Sequence, residues 1–94
     1  MYRIVPSKQF KKDFKRVARS GRFDLPLFNA VVNSLASGQT LDKKHLDHLL
    51  QGSMKGLREC HIKPDLLLVY IIKEDQVILQ LIRIGSHSEL FDNR

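Results

Sequence analysis

The spacing of apolar residues changes once along this chain, from a helical period to a strand period, and this change limits the possible folds. Phe10, Phe14 and Val17 recur at spacings of four and three, which is typical of the buried face of a helix. From Leu57 to Lys63 the side chains follow β-strand alternation instead, and the β-branched runs Leu66–Lys73 and Gln76–Ile84 are apolar on both faces, as in central strands of a sheet. Because helices and strands are segregated, the pattern predicts an α+β domain with a helical pair on one face of a sheet.

Proline, glycine and helix-capping residues set the expected boundaries of the helices and strands. Pro6 stops a first strand, and Gly21 and Gly38 are suited to ending helices. In chain order we expect a strand over Tyr2–Val5, a helix capped by Ser7, a second helix capped by Asp24, a long loop over Gln39–Gly56, antiparallel strands over Leu57–Lys63, Leu66–Lys73 and Gln76–Ile84, and a short ending over His87–Phe91.

The length and the apolar runs bound the class of protein. Ninety-four residues allow one hydrophobic core, so we expect a single domain over 1–94. The longest apolar run, Leu66 to Ile72, is far shorter than the roughly 20 residues of a membrane-spanning helix. No export signal is evident at Met1–Pro6, and the single cysteine, Cys60, cannot form an internal disulfide. These features predict a cytoplasmic protein that does not enter membranes.

The charge predicts an anionic partner without choosing one. Sixteen Lys and Arg against ten Asp and Glu give a net charge of +6, which attracts nucleic acid, acidic proteins and anionic surfaces alike. Lys11 and Lys12 belong to a basic arc on the first predicted helix. Such an arc is typical of a solvated face, and it is also a candidate for gripping RNA phosphates.

Three histidines, His48, His61 and His87, provide the most distinctive chemistry. Neighbouring strands would bring them together beside Asp65. Histidine exchanges protons near neutral pH, and RNA supplies its own nucleophile, the 2′-hydroxyl. Such a histidine cluster could provide the groups of a nuclease, since a protein can cleave RNA without a metal if it removes the 2′-hydroxyl proton and protonates the leaving 5′-oxygen.

Cations would stabilise the charged phosphorane in such a reaction. The candidates on the expected sheet and loop are Lys55, Arg58, Lys63 and Arg83. A zinc site built from His45, His48, His61 and Asp47 is disfavoured, because their spacings match no compact ligand motif. His45 is interpreted as structural or neutral.

Three motifs taken together carry a resemblance to a known family. They are L-Q-G-S-x-K-G at residues 50–56, H-x-x-P-D at 61–65 and G-S-H-x-x-L-F at 85–91. With these motifs the chain resembles the YafQ branch of the RelE superfamily of bacterial toxins, the toxin halves of type II toxin–antitoxin pairs. The resemblance covers the whole chain in the order of its elements.

The resemblance implies a ribosome-dependent mRNA endonuclease that cuts the message in the ribosomal A site without a metal cofactor. The functional positions of the family fall on His48, His61, Asp65, His87 and Phe91. His87 would act as general acid or contact the transition state, and Asp65 with His48 or His61 would activate the 2′-hydroxyl. Phe91 would stack on a base or position it.

The resemblance also implies partners and a location. The partner would be a small acidic antitoxin that wraps the toxin, and operator DNA would be bound only through that complex. The protein would act in the bacterial cytoplasm. Two alternatives stay open: a toxin of the same fold directed at gyrase, like ParE, with dispensable histidines, or a non-catalytic basic module that binds RNA or the ribosome.

Overall fold

Five strands, three α-helices and two 3₁₀ turns form the structure, a computed structural model that describes residues 1–21, 23–51 and 56–91. The elements are β1 (Arg3–Pro6), α1 (Lys8–Ala18), α2 (Leu25–Ala36), a 3₁₀ turn (Lys43–His45), β2 (His48–Leu49), β3 (Arg58–Lys63), β4 (Leu66–Lys73), a second 3₁₀ turn (Glu74–Gln76), β5 (Ile78–Gly85) and α3 (His87–Phe91). The α+β prediction is confirmed. No helix among the described residues is both long enough and apolar enough to span a membrane.

The strands form one sheet in the order β1-β5-β4-β3-β2. The three long strands β3, β4 and β5 pair antiparallel, as the short turns between them predict. β1 instead lies parallel to β5, with Arg3 opposite Ile78, so the chain crosses over through α1 and α2 before it returns to the sheet.

The predicted loop over residues 39–56 was wrong in part. It contains the 43–45 turn and the two-residue strand β2, whose His48 and Leu49 pair with Glu59 and Arg58 of β3. A strand of two residues is too short to show alternation, and its pairing with β3 is what defines it. Residues 52–55 lie outside the described residues.

Both long helices begin where the capping residues predict. The Ser7 hydroxyl accepts a hydrogen bond from the Phe10 amide at 3.0 Å, and the Asp24 carboxylate accepts one from the Leu27 amide at 3.1 Å. Each satisfies a helix-end N–H group that has no intrahelical partner. Beyond the helix ends, Gly38 adopts a φ of 78°, a conformation that favours glycine.

The core lies between the two long helices and one face of the sheet. Phe10 and Phe28 stack with ring centroids 6.2 Å apart, over the buried Cys60, Leu68 and Tyr70 of the sheet. Burying each large apolar side chain contributes roughly 1.5–3 kcal/mol. Alternation along β3 consequently turns Glu59 and His61 to the sheet face opposite the helices.

A buried carboxylate ties α1 to the end of β5. Asp13 is fully buried and accepts hydrogen bonds from Arg83 Nε at 2.6 Å, Arg83 Nη2 at 3.1 Å and the Ile84 amide at 3.2 Å. Burial alone would raise the pKa of Asp13, but the hydrogen bonds from Arg83, Gln9 and Ile84 outweigh it and lower that pKa. Asp13 therefore fixes the segment that leads directly into α3.

Candidate active site

The open face of the sheet carries two histidines that share one carboxylate. His48 on β2 lies directly opposite Glu59 on β3, and His61 follows Glu59 by two residues on the same face. His48 Nε2 and His61 Nε2 lie 3.6 and 3.5 Å from the same oxygen, Glu59 Oε1. The Glu59 side chain is only 7% exposed, so little water competes for this charge.

Backbone carbonyls orient both rings. His48 Nδ1 lies 2.6 Å from the Leu46 carbonyl oxygen, and His61 Nδ1 lies 3.3 Å from the Pro64 carbonyl oxygen. Since a carbonyl only accepts hydrogen bonds, each Nδ1 is assigned as the donor. Each Nε2 is thus left facing Glu59 Oε1.

Asp65 belongs to the turn between β3 and β4, and it contacts the first residue of α3. Its Oδ1 accepts a hydrogen bond from the His87 backbone amide at 3.0 Å. Ser86 and Glu89 complete the helix start reciprocally, with the Ser86 amide bonded to Glu89 Oε1 and the Glu89 amide bonded to Ser86 Oγ. In this structure Asp65 therefore positions His87 through the main chain.

The imidazole of His87 and the ring of Phe91 lie next to each other on α3. They are one helical turn apart, with ring centroids separated by 5.4 Å and planes inclined by 51°. His87 is exposed and Phe91 is half-buried. This arrangement presents a proton-exchanging ring beside a flat apolar surface, which suits a nucleotide.

The pairing of β3, β4 and β5 sets the distance between the two histidines at Glu59 and the start of α3. His61 pairs with Leu67, and Leu67 pairs with Gly85 on the next strand. Two strand spacings amount to about 10 Å, so the backbones at His61 and at the start of α3 lie about that far apart across the sheet. The structure thus brings four of the sequence-predicted residues, His48, His61, Asp65 and His87, to neighbouring positions, with Phe91 beside His87.

The predicted phosphate-binding arginines are engaged in ion pairs inside the protein. Arg58 lies 3.3 Å from Asp47, and Arg83 bonds Asp13. Burial opposes the charge of Arg58, but Tyr70 and Asp47 outweigh it and raise its pKa. Their visible contacts hold β2, β3, β5 and α1 together.

The predicted lysines are spread over the molecule. Lys63 ends β3 next to the Pro64–Asp65 turn. Lys11 and Lys12 are exposed on α1, in the helical layer. Lys55 lies outside the described residues.

One polar residue of this site, Glu59, was missed in the sequence, and His45 makes a structural contact. Glu59 looks like a solvated charge on a strand, and only its position opposite His48 shows its role. His45, for which the sequence predicted a structural or neutral role, is buried and places Nδ1 2.6 Å from the His61 carbonyl oxygen. The alternation that places Glu59 and His61 on one face was the available signal for Glu59.

Comparisons with known proteins identify the family. A family model described as "Bacterial toxin of type II toxin-antitoxin system, YafQ" matches residues 2–92. The mRNA interferase toxin YafQ of Escherichia coli K12 is 34% identical over 89 residues, which cover 94% of this chain and 94% of that protein.

Solved structures agree with this match. A metal-bound toxin from Helicobacter pylori is 53% identical with a TM-score of 0.90, covering 97% of this chain and 100% of that one. The E. coli DinJ-YafQ complex matches with a TM-score of 0.84 at 33% identity, covering 97% and 99%. The chain belongs to the YafQ family of bacterial toxins of type II toxin–antitoxin systems, as its three motifs predict.

The H. pylori toxin is metal-bound, which raises the question of a metal site in this chain. Side chains of His, Cys, Asp and Glu are the usual protein ligands of transition metals. Among residues 1–21, 23–51 and 56–91, no group of three or more of these side chains is arranged to hold a metal ion. His48 Nε2 and His61 Nε2 instead lie 3.6 and 3.5 Å from the same carboxylate oxygen of Glu59.

Proposed function

We propose that this chain is an mRNA interferase, an endoribonuclease that cuts mRNA in the ribosomal A site and stops translation. The observation that carries this proposal is the pair of histidines on one buried carboxylate, held across the sheet from a third histidine on a capped helix. The names of the curated relatives support the same activity.

The proposed reaction uses RNA as its own nucleophile. The Nε2 of His48 or His61 accepts the proton of the 2′-hydroxyl, and Glu59 stabilises the resulting imidazolium. The 2′-oxygen bonds to phosphorus while the bond from phosphorus to the 5′-oxygen breaks. His87 donates a proton to that leaving oxygen, which gives a 2′,3′-cyclic phosphate and a 5′-hydroxyl end.

Asp65 and Phe91 have supporting roles in this mechanism. Asp65 holds the His87 amide, so it acts on catalysis through the position of α3. Phe91 offers its ring to a base next to His87.

We further propose that the partners are an acidic antitoxin and the ribosome. The net charge of +6 suits both an acidic protein and ribosomal RNA. The DinJ-YafQ complexes show an antitoxin bound to similar toxins. Exposed lysines of α1, Lys11 and Lys12, are the proposed contacts to ribosomal RNA, and operator DNA is reached only through the antitoxin complex. The site of action is the bacterial cytoplasm.

Primer extension on an mRNA with programmed ribosomes, and on the same mRNA alone, tests the proposal. We expect cuts only with ribosomes, and a loss of roughly 10²–10⁴-fold in cleavage rate for His87→Ala and for Glu59→Gln. Asp75→Ala is the matched control, because Asp75 is exposed at the opposite end of the β4–β5 hairpin.

The other outcomes separate the alternatives. Cleavage of free mRNA would show a ribonuclease independent of the ribosome. Absence of cleavage together with growth arrest that survives His87→Ala would support a gyrase-directed toxin. Ribosome binding without cleavage or growth arrest would support a non-catalytic binding module.

A further inference from the structure

A cavity of about 470 Å³ adjoins the candidate active site. It lies between α2, the 43–45 turn and the end of β3. Its volume falls within the ~300–1,000 Å³ typical of small-molecule sites. We call this cavity the Leu46 pocket.

The Leu46 pocket is lined by four apolar residues, two lysines and two histidines. Leu27, Leu46, Ile62 and Pro64 form apolar surfaces, and Lys44 and Lys63 also line the cavity. Leu46 is 58% exposed although it is a large aliphatic residue, and it adopts the left-handed conformation with a φ of 48°. An uncovered apolar surface flanked by ammonium groups suits a ligand with flat apolar faces and adjoining negative charges.

Both histidines of the shared carboxylate are bonded to the residues that line this pocket. His61 is itself part of the lining. The carbonyl of Leu46 holds His48 Nδ1, and the ring of His45, another lining residue, lies against the His61 carbonyl. A ligand in the pocket therefore contacts His61 and two residues, His45 and Leu46, that are bonded to His61 and His48.

We propose that the Leu46 pocket is a nucleobase subsite for single-stranded RNA, which receives a base adjacent to the scissile phosphate. The identification of RNA as the ligand rests on the proposed function. The base lies between the apolar side chains of Leu46 and Pro64, and Lys44 and Lys63 attract the phosphates on either side of it. Binding in this pocket fixes which phosphate reaches the histidines.

The chain offers a matched pair of variants. Leu46→Asn removes the apolar wall while keeping the backbone, because Asn tolerates the left-handed conformation. Val77→Asn is the control: Val77 is likewise an exposed aliphatic residue, 51% accessible, with a φ of 55° after a 3₁₀ turn. It lies at the β4–β5 turn, away from the pocket.

The first test measures binding without any cleavage. Two-dimensional ¹H–¹⁵N spectra of the protein are recorded during titration with each of the four ribonucleoside 5′-monophosphates, with ribose 5-phosphate as the probe that lacks a base. We expect shifts of the Leu46, Ile62 and Lys63 amides with the nucleotides only, weakened about tenfold in Leu46→Asn and unchanged in Val77→Asn. Equal shifts with ribose 5-phosphate, or none at these amides, would overturn the nucleobase subsite.

The second test separates this proposal from the proposed function. In the primer-extension assay Leu46→Asn is expected to change the nucleotide preference next to the cut and to lower cleavage about tenfold, while Val77→Asn matches the parent. Full activity with unchanged preference in Leu46→Asn would overturn the subsite and leave the nuclease standing. If the parent does not cut, the nuclease proposal fails, and the titration still decides the pocket. The nucleobase subsite would also be overturned if an apolar side chain of a bound antitoxin occupied the pocket and the nucleotides shifted none of its amides.

Discussion

Replacing Asp13 with Asn tests the buried link between α1 and β5. Asp13 is fully buried, and both Arg83 and the Ile84 amide bond its carboxylate. Breaking a buried ion pair costs about 3–5 kcal/mol when one charge is left behind. The Arg83 side chain is 30% exposed and turns partly to water, so we expect a loss near the lower limit, about 3 kcal/mol.

Urea unfolding followed by circular dichroism measures this loss. A decrease of about 3 kcal/mol corresponds to a fall in the melting temperature of roughly 12–24 °C for a domain of this size. Asp75→Asn, at an exposed aspartate, is the control and is expected to stay within about 0.5 kcal/mol of the parent. A cycle with Arg83→Gln is expected to give a coupling energy of about 1.5–3 kcal/mol.

The pH dependence of the unfolding free energy supplies a second criterion. The pKa of Asp13 is lowered in the folded state, so its contribution is complete above its unfolded pKa of about 4. That contribution is lost as the pH falls through the lower folded value. The difference in unfolding free energy between parent and Asp13→Asn should therefore be constant from about pH 5 to 7 and narrow below about pH 4. A loss of unfolding free energy below about 1 kcal/mol would refute the reasoning, and so would a difference between parent and Asp13→Asn that does not narrow in acid.

Three further predictions concern other sites. Burial raises the pKa of the Cys60 thiol to about 12, so a colourless aromatic disulfide reagent should release its chromophore only when urea unfolds the protein, and reaction in the native state would contradict this burial. Asp65→Ala should lower cleavage by roughly tenfold, with Asp65→Asn retaining more because its amide oxygen still accepts the His87 amide, and equal loss in both would indicate a direct chemical role. Lys11→Glu with Lys12→Glu should weaken ribosome association most at low salt in a sedimentation assay, and binding insensitive to both charge and salt would remove α1 from the interface.

Local patterns were sufficient for most of the elements. Ser7 and Asp24 cap the helices at the predicted positions, and alternation over Leu57–Lys63 together with the two apolar β-branched runs that follow placed the long strands within about two residues of their bounds. Helix caps and alternation are local properties, so they are visible in a single sequence. The parallel pairing of β1 with β5 was not predicted, because it joins segments more than seventy residues apart.

The sequence predicted the three histidines and Asp65 of the candidate site, and it did not predict the burial of Glu59 or of Asp13. His48, His61 and His87 stand out by residue type, whereas Glu59 and Asp13 resemble the other surface charges of the chain. Their burial depends on neighbours from another element: β2 for Glu59 and β5 for Asp13. Sequence pattern carries no direct record of such partners.

The position of β5 in the sheet bears on how the protein is synthesised. β5 is the strand on which β1, β4 and α1 all pack, and it follows every other strand in the order of the described elements. The chain is synthesised from its N-terminus, and domains fold as they are made. β1 and Asp13 gain these partners only after residues 78–85 have been synthesised. A nascent chain that lacks β5 has neither a complete sheet nor the segment that carries His87. The proposed cleavage activity is therefore not assembled until nearly all of this sequence has been translated, which would protect the ribosome that is making the chain.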